Sequence, residues 1–285
     1  MTDLALLKNC LDKLADEYGA RFLDSDPVGL VHEYDSPEDR EVAGFVISVL
    51  AYGGASQIRK SGREVLSYTG KSPEKFVRDL TPDDAIGTFR SFRHRWTDGG
   101  DIAYIFWVIG EILREFGSVG ALVRSLDNPD EPTIDGVMTR FSAWVTERYS
   151  DRFRLNSSRD GISYLIPSPA RGSACKRLAL YFRWMVRGPD GTDFGLWQFI
   201  STARLVIPVD RHIARMAGLI GLTARRTADW KMVLEITESL RRIDPHDPVR
   251  YDFALVRPGI LRQCTVLSKG DCPSCHLREI CSEAV

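Results

Sequence analysis

The cysteines constrain this chain more than any other feature, because four of its six cysteines fall within residues 264–281. They follow the spacing C-x7-C-x2-C-x5-C. Thiolates are soft ligands that suit iron–sulfur clusters and zinc. The closest pair brackets a Cys-Pro-Ser-Cys turn, which lets two sulfurs approach one centre. We therefore predict one inorganic centre, held by Cys264, Cys272, Cys275 and Cys281.

Iron–sulfur and zinc are the two alternatives for this centre. Structural zinc sites more often use two tight cysteine pairs or a Cys/His mixture, and this pattern has one tight pair. A zinc centre would suggest a transcriptional role. Cys10 and Cys175 lie outside the pattern, and such cysteines are more often small core residues than ligands.

The remaining composition is that of an ordinary globular protein, with 44% hydrophobic and 27% charged residues in 285. No apolar run approaches the roughly 20 residues that a membrane helix needs. The first residues carry no signal-peptide pattern, so we expect a cytoplasmic protein without a membrane partner. Thiols stay reduced in the cytoplasm, which favours a metal centre over disulfides.

Charge is distributed unevenly, although the formal net charge is only −1. From Arg171 onward there are 18 Lys and Arg against 12 Asp and Glu, whereas the preceding part has 20 against 27. Chance can produce such an asymmetry. A phosphate-binding face would nevertheless be expected in the basic half, which also holds the clustered cysteines.

Apolar residues recur at helical spacing through most of the chain, and strand signals are few, so we predict an all-α fold. Ile162–Ile166 and Leu205–Ile207 have strand-like composition but are too short to build a sheet around. Ser72-Pro73 and Thr81-Pro82 each read as an N-cap followed by a first-turn proline. Other predicted helices cover residues 3–17, 38–52, 101–117, 134–149, 174–187, 210–220, 228–242 and 248–256.

Two motifs of this chain resemble motifs of the endonuclease III superfamily of helix-hairpin-helix DNA glycosylases, and they occur in the same order as in that family. The family's cluster loop reads C-x6-C-x2-C-x5-C, and only the first gap is longer here. The segment Pro208–Arg215, PVDRHIAR, resembles the family's P-V-D-T-H-V-x-R, with Arg211 where Thr is usual. Residues Lys176–Arg187 also resemble an uncharacterised bacterial family with the same cluster loop. The resemblance favours a [4Fe–4S] cluster over zinc.

The family's hairpin motif, L-P-G-V-G-x-K/T-A, has no clear counterpart before Asp210. Residues Gly188–Gly195 are rich in glycine but contain no lysine, so the hairpin is either remodelled or absent. One branch of the superfamily, the archaeal 8-oxoguanine glycosylases, has a rearranged hairpin with its lysine further upstream. Lys176 resembles that arrangement.

The resemblance implies excision of a modified base from double-stranded DNA. Asp210 would stabilise the positive charge that develops on the sugar, or activate the nucleophile; its position at a helix start also suits a plain N-cap. Lys176 would attack C1′, form a Schiff base and add lyase activity, provided that its neutral form is accessible. The alternative is that Lys176 has no catalytic role, because a lysine on a helix is usually a solvated surface residue.

Several further residues are candidates for DNA contact. In the superfamily the loop after the second helix helps to fill the gap left by a flipped base, a role that Tyr52 or Gln57 could take. Backbone N–H groups from Gly188 to Gly191 could bind a phosphate, although a tight turn explains these glycines as well. Basic side chains near the cysteines suit phosphate contact or offset the charge of a cluster: Arg262, Lys269 and Arg278.

The expected architecture is a two-lobed monomer with DNA in the cleft between the lobes. Residues 38–204 would form a six-helix lobe, and residues 1–37 with 205–285 the iron–sulfur lobe. The rival hypothesis is a nonenzymatic iron–sulfur protein that binds nucleic acid. The missing hairpin lysine is its best support.

Overall fold

The computed structural model of the protein describes residues 3–155, 161–261, 263–264 and 272–284. Helices dominate these residues, so the all-α prediction is confirmed. The one sheet within them is a hairpin of β1 (Arg93–His94) and β2 (Thr97–Asp98). The α-helices are α1 (Leu4–Glu17), α2 (Pro37–Val49), α3 (Ala55–Ser67), α4 (Pro73–Arg78), α5 (Pro82–Phe89), α6 (Gly99–Phe116), α7 (Val119–Leu126), α8 (Asp135–Glu147), α9 (Gly161–Leu165), α10 (Lys176–Val186), α11 (Arg211–Leu219), α12 (Trp230–Arg241), α13 (Asp252–Leu255) and α14 (Arg257–Ile260).

The longest helix, α6, runs through the core and packs against α4, α5 and α7. It begins with a capping box, in which Asp98 accepts the amide of Asp101 and the side chain of Asp101 accepts the amide of Asp98. This reciprocal pair satisfies N–H groups that a helix start otherwise leaves unbonded. Across the described part of the chain, we find no helix with the length and apolarity needed to span a membrane.

Close packing of α2 on α10 positions the ends of both helices. A Cβ atom on Gly44 of α2 would lie 2.8 Å from Cε of Met185, so the absence of a side chain permits the contact. The ring of Tyr181 stacks on Phe45 with centroids 5.1 Å apart. Its hydroxyl donates to the carbonyl oxygen of Glu41 at 3.0 Å. The start of α10 is thereby fixed beside the end of α2.

The first helix packs against the C-terminal part of the chain. Its buried face meets α13 and the short 3-10 helix Arg278–Ile280. The hydroxyl of Tyr251 donates to Asp12 at 2.7 Å, and that of Tyr18 donates to Gln263 at 2.6 Å. The division of the chain into two lobes stays a prediction.

The described residues from 37 to 186 contain the nine α-helices α2 to α10. The buried face of α3 includes Ser61 and Gly62, which carry no hydrophobic signal. The strand-like segment that begins at Ile162 forms part of α9, where Ile162 and Leu165 share a buried side. Gly54 is the N-cap of α3, so Gly53-Gly54 joins two helices as well as ending the first.

Glu41 is a buried carboxylate on which α2, α7 and the segment after α10 depend. It accepts the indole N–H of Trp197 at 2.6 Å and the amides of Val119 and Gly120 at 3.0 and 3.2 Å. A buried donor left without a partner costs about 1–3 kcal/mol. We expect Glu41→Ala to lower the free energy of unfolding by about 3 kcal/mol in urea titrations. Glu64→Ala, at an exposed position of α3, is the control, and equal losses in both variants would contradict this account.

Candidate active site

Lys176 and Asp210 lie at the starts of two helices that converge on one cavity. Lys176 is the first residue of α10, and Asp210 is the N-cap of α11. The Nζ atom of Lys176 lies 3.4 Å from Oδ2 of Asp210 and donates to the carbonyl oxygen of Ala51 at 3.1 Å. Their side chains are 29% and 21% exposed, so solvent can reach the pair. The fold thus joins the two residues that the resemblance singled out.

The two carboxylate oxygens of Asp210 have different partners. Oδ1 accepts the backbone amides of His212 and Ile213 at 2.8 and 3.0 Å, which caps α11. Oδ2 faces the amine of Lys176. Capping fixes the orientation of the carboxylate, and the second oxygen is left to act on the lysine or on a bound molecule.

Helix geometry adds a favourable field for an anion at this place. The N-terminus of an α-helix carries partial positive charge from its unbonded N–H groups. Helix α10, which has no side-chain cap, directs such an end toward the pair Lys176–Asp210, whereas the first amides of α11 are already bonded to Asp210. Phosphates bind readily at helix N-termini for the same reason.

The cavity beside this pair has a volume of about 370 Å³, within the range of roughly 300–1,000 Å³ that is typical of small-molecule sites. Trp184 and Phe253 contribute aromatic surface, and Asp26 and Asp252 contribute carboxylates. Flat aromatic walls with polar groups at their edges suit a planar heterocycle, because the walls stack and the edge groups form hydrogen bonds.

Asp252 belongs to a buried ionic network that forms one wall of the cavity. Arg183, only 2% exposed, donates from Nε to Asp193 at 3.0 Å and from a terminal nitrogen to Asp252. Burial raises the pKa of the Asp252 carboxyl to about 6, and Arg183 opposes part of that rise. A carboxyl of this kind can hold or accept a proton near neutral pH.

Three cavity residues were not recognised from the sequence. The sequence motifs assign no role to His212, Trp184 or Asp252, all of which line the cavity. His212 lines the cavity, and burial lowers its pKa although the charge of Asp210 opposes this. Only its place beside Asp210 in the PVDRH segment could have drawn attention to His212, and no local pattern marks the other two.

The structure places Tyr52 and Gln57 near the cavity but gives them different surroundings. The hydroxyl of Tyr52 donates to the carbonyl oxygen of His94 at 2.7 Å and lies 2.6 Å from the hydroxyl of Thr97. Gln57 is exposed in the first turn of α3 and donates to Ser61 at 3.2 Å. Tyr52 is therefore held by the β-hairpin, whereas Gln57 is accessible.

Residues 187–201, all of which the structure describes, form no helix, so no helical hairpin precedes Asp210 there. Gly188 and Gly191 are exposed and have φ angles of 108° and 85°, which favour glycine. Asp190 lies between them and accepts the amides of Thr192 and Asp193. The Asp190 carboxylate thus closes a turn over residues 190–193, and phosphate binding by the amides of Gly188 to Gly191 stays a prediction.

The four clustered cysteines have free, partly buried thiols. Burial raises the pKa of Cys275, and the nearby thiols of Cys264, Cys281 and Cys272 raise it further, so the four lie within electrostatic range of one another. A cavity of about 230 Å³ is lined by Cys264 and Cys275. Even so, no three His, Cys, Asp or Glu side chains of the described residues are arranged to hold a metal ion.

The cysteine segment is tied to the helix that Asp210 caps. Arg215 of α11 donates to the carbonyl oxygen of Cys264 at 3.0 Å, and the amide of Ser282 donates to the carbonyl oxygen of Leu219 at 2.9 Å. Arg278 is exposed in this segment, whereas Arg262 and Lys269 lie outside the described residues. These two hydrogen bonds connect the backbone of the cysteine segment to α11, the helix that Asp210 caps.

Residues 26–261 match the family described as "Protein of unknown function (DUF2400)". The matched range includes Lys176 and Asp210, and the four clustered cysteines follow it. No curated protein and no solved structure gives a significant match to the chain.

Proposed function

We propose that this chain, which belongs to the DUF2400 family, is a DNA glycosylase that removes a modified base and also cleaves the abasic strand. The observation that carries the proposal is the pair in the cavity: the amine of Lys176 lies 3.4 Å from the carboxylate of Asp210. An amine nucleophile with a carboxylate beside it provides the groups for base excision that is coupled to strand cleavage.

The chemistry begins when a damaged nucleotide leaves the duplex and its base enters the cavity. As the bond between C1′ and the base breaks, its electron pair leaves with the base, which takes up a proton. Asp210 stabilises the positive charge that develops on the sugar. Asp252 and His212, which line the cavity, are the side chains proposed to exchange that proton.

Lys176 then gives the lyase reaction. Its neutral amine attacks C1′ of the sugar cation and the nitrogen gives up a proton. The C1′–O4′ bond then breaks with protonation of O4′, which opens the ring and leaves a protonated Schiff base between Lys176 and C1′. Removal of a proton from C2′ expels the 3′ phosphate and breaks the strand. Borohydride reduces the Schiff base to a stable amine, which links the protein covalently to DNA.

The four clustered cysteines supply a donor set that suits a [4Fe–4S] cluster, with zinc as the alternative. When bound, such a cluster would brace the C-terminal segment through its iron–thiolate bonds. The contacts of Arg215 with Cys264 and of Leu219 with Ser282 would pass that order to α11. The cluster is thus proposed to position Asp210 rather than to react with DNA.

A panel of duplexes tests the function directly. Duplexes that contain uracil, hypoxanthine, 8-oxoguanine, an oxidised pyrimidine or an abasic site are incubated with the protein, with and without borohydride. Release of one of these bases, with a trapped adduct, is the expected result. Tight binding without cleavage of any of them would instead support the nonenzymatic nucleic-acid-binding protein.

Replacing one cysteine of the close pair tests the cluster. We expect anaerobically purified protein to contain about four irons per chain, as a [4Fe–4S] cluster requires. Cys275→Ser should lose most of this iron and the associated visible absorbance, because one thiolate ligand is removed. Cys10→Ala, at a buried position of α1, is the control and should keep its iron. One zinc and no iron would instead indicate the alternative metal.

A further inference from the structure

The tip of the β1–β2 hairpin carries an exposed tryptophan that directly follows the basic residue Arg95. Trp96 is 62% exposed, more than any other large hydrophobic side chain that the structure describes. With Arg95 it forms the two-residue turn, since His94 pairs with Thr97 across the strands. Single exposed apolar residues are common on protein surfaces, so its position and neighbours matter more than its exposure.

Buried residues on both sides of the turn hold the tip rigidly. The ring of His94 is fully buried, with Nδ1 2.9 Å from the hydroxyl of Ser61 and Nε2 3.1 Å from the carbonyl oxygen of Tyr52. Thr97, 1% exposed, lies 2.6 Å from the hydroxyl of Tyr52. A side chain presented from such a fixed base loses little conformational freedom on binding.

The tip stands at the rim of the cavity that contains Lys176 and Asp210. Gly53 lines this cavity. A Cβ atom on Gly53 would lie 3.0 Å from Cδ of Arg95, so the arginine side chain lies directly over the glycine. The turn and the candidate active site are therefore neighbouring features of one surface.

Positive charge surrounds the tip. Arg90, Arg93 and Arg95 are all exposed, and α3, which packs against β1, adds the exposed Lys60. These four basic residues lie before Arg171, in the part of the chain whose net charge is negative. The net charge of that part therefore does not reveal the basic group. Arginines suit phosphates, and a flat aromatic ring stacks on any base, which together favour nucleic acid as the partner.

We propose that the Arg95-Trp96 turn enters duplex DNA beside the extruded nucleotide. The indole of Trp96 fills the gap in the base stack, and Arg93 and Arg95 contact the flanking phosphates. This rests on the proposed function, because a gap forms only when a base leaves the stack. The gap-filling side chain is then on the hairpin, and Tyr52 acts as one of its anchors.

The test measures binding to a duplex with a tetrahydrofuran abasic analogue opposite 2-aminopurine, by fluorescence anisotropy and by 2-aminopurine emission. Trp96→Ala should raise Kd about tenfold and remove the change in emission, as loss of one stacking contact predicts. Trp96→Phe should restore most of the affinity. Tyr68→Ala, at an aromatic residue that is 43% exposed, is the matched control and should bind like the wild type.

The salt dependence of Kd tests the arginines. Arg93→Ala should reduce the slope of log Kd against log salt by about one, since one phosphate contact is lost. Arg226→Ala, at an exposed position before α12, should leave the slope unchanged.

If the wild type excises bases and Trp96→Ala binds as Tyr68→Ala does, the hairpin proposal is overturned and the glycosylase proposal stands. No binding and no cleavage by the wild type would overturn both, and an effect of Trp96→Ala confined to RNA would overturn the assignment of DNA as the partner.

Discussion

Lys176→Ala is expected to abolish covalent trapping of the protein on lesion-containing DNA by borohydride. The trapped species requires an amine on C1′, and alanine has none. Strand cleavage should fall by at least about a thousandfold, which is typical when a nucleophile is removed. The assay is a denaturing gel of labelled duplex after reduction, together with cleavage without reductant.

The same variant should keep its fold. Partly exposed ion pairs such as that between Lys176 and Asp210 contribute only about 0–1 kcal/mol to stability. Lys231→Ala, at an exposed position of α12, is the control and should trap DNA as the wild type does. Undiminished trapping by Lys176→Ala would show that another amine is the nucleophile.

Asp210→Asn is expected to slow release of the base by about a hundredfold to a thousandfold, the range found when one group that stabilises a transition state is lost. Asparagine caps a helix about as well as aspartate, so the variant removes the charge while keeping the hydrogen bonds to His212 and Ile213. The measurement is single-turnover release of the base, with the free energy of unfolding measured in parallel.

Two controls separate the charge of Asp210 from its capping role. Asp229→Asn makes the same change at the N-cap of α12, where Asp229 accepts the amide of Met232 at 2.9 Å, and activity should not change. On DNA with a preformed abasic site the base has already left, so trapping by Asp210→Asn should fall much less than base release. Equal losses on both substrates, or in both variants, would refute a role for Asp210 in bond cleavage.

Sequence patterns predict most of the long helices because their buried faces are apolar. The N-cap interpretations of Ser72 and Thr81 are confirmed, since both hydroxyls accept the amide three residues later. Helix α3 was missed because its buried face is partly Ser and Gly, and the hairpin because strands of two residues have no readable period. The hydrophobic pattern fails where packing relies on small or polar groups.

The candidate site was only partly predictable. The resemblance pointed to Lys176 and Asp210, and folding brings them within 3.4 Å. Asp26 and Asp252 reach the same cavity from distant segments, through contacts that no local spacing encodes. Trp96 gave no signal because neither its exposure nor its approach to Gly53 can be read along the chain.

The contact of α1 with the C-terminal segment sets an order of events during synthesis. Asp12 and Tyr251, which share a hydrogen bond, are separated by 239 positions. The leucines of α1 that end up buried (Leu7, Leu11 and Leu14) leave the ribosome long before α13, against which α1 packs. A nascent chain therefore carries an uncovered apolar face on α1 until α13 has been synthesised, and premature termination before α13 leaves that face without its native partner.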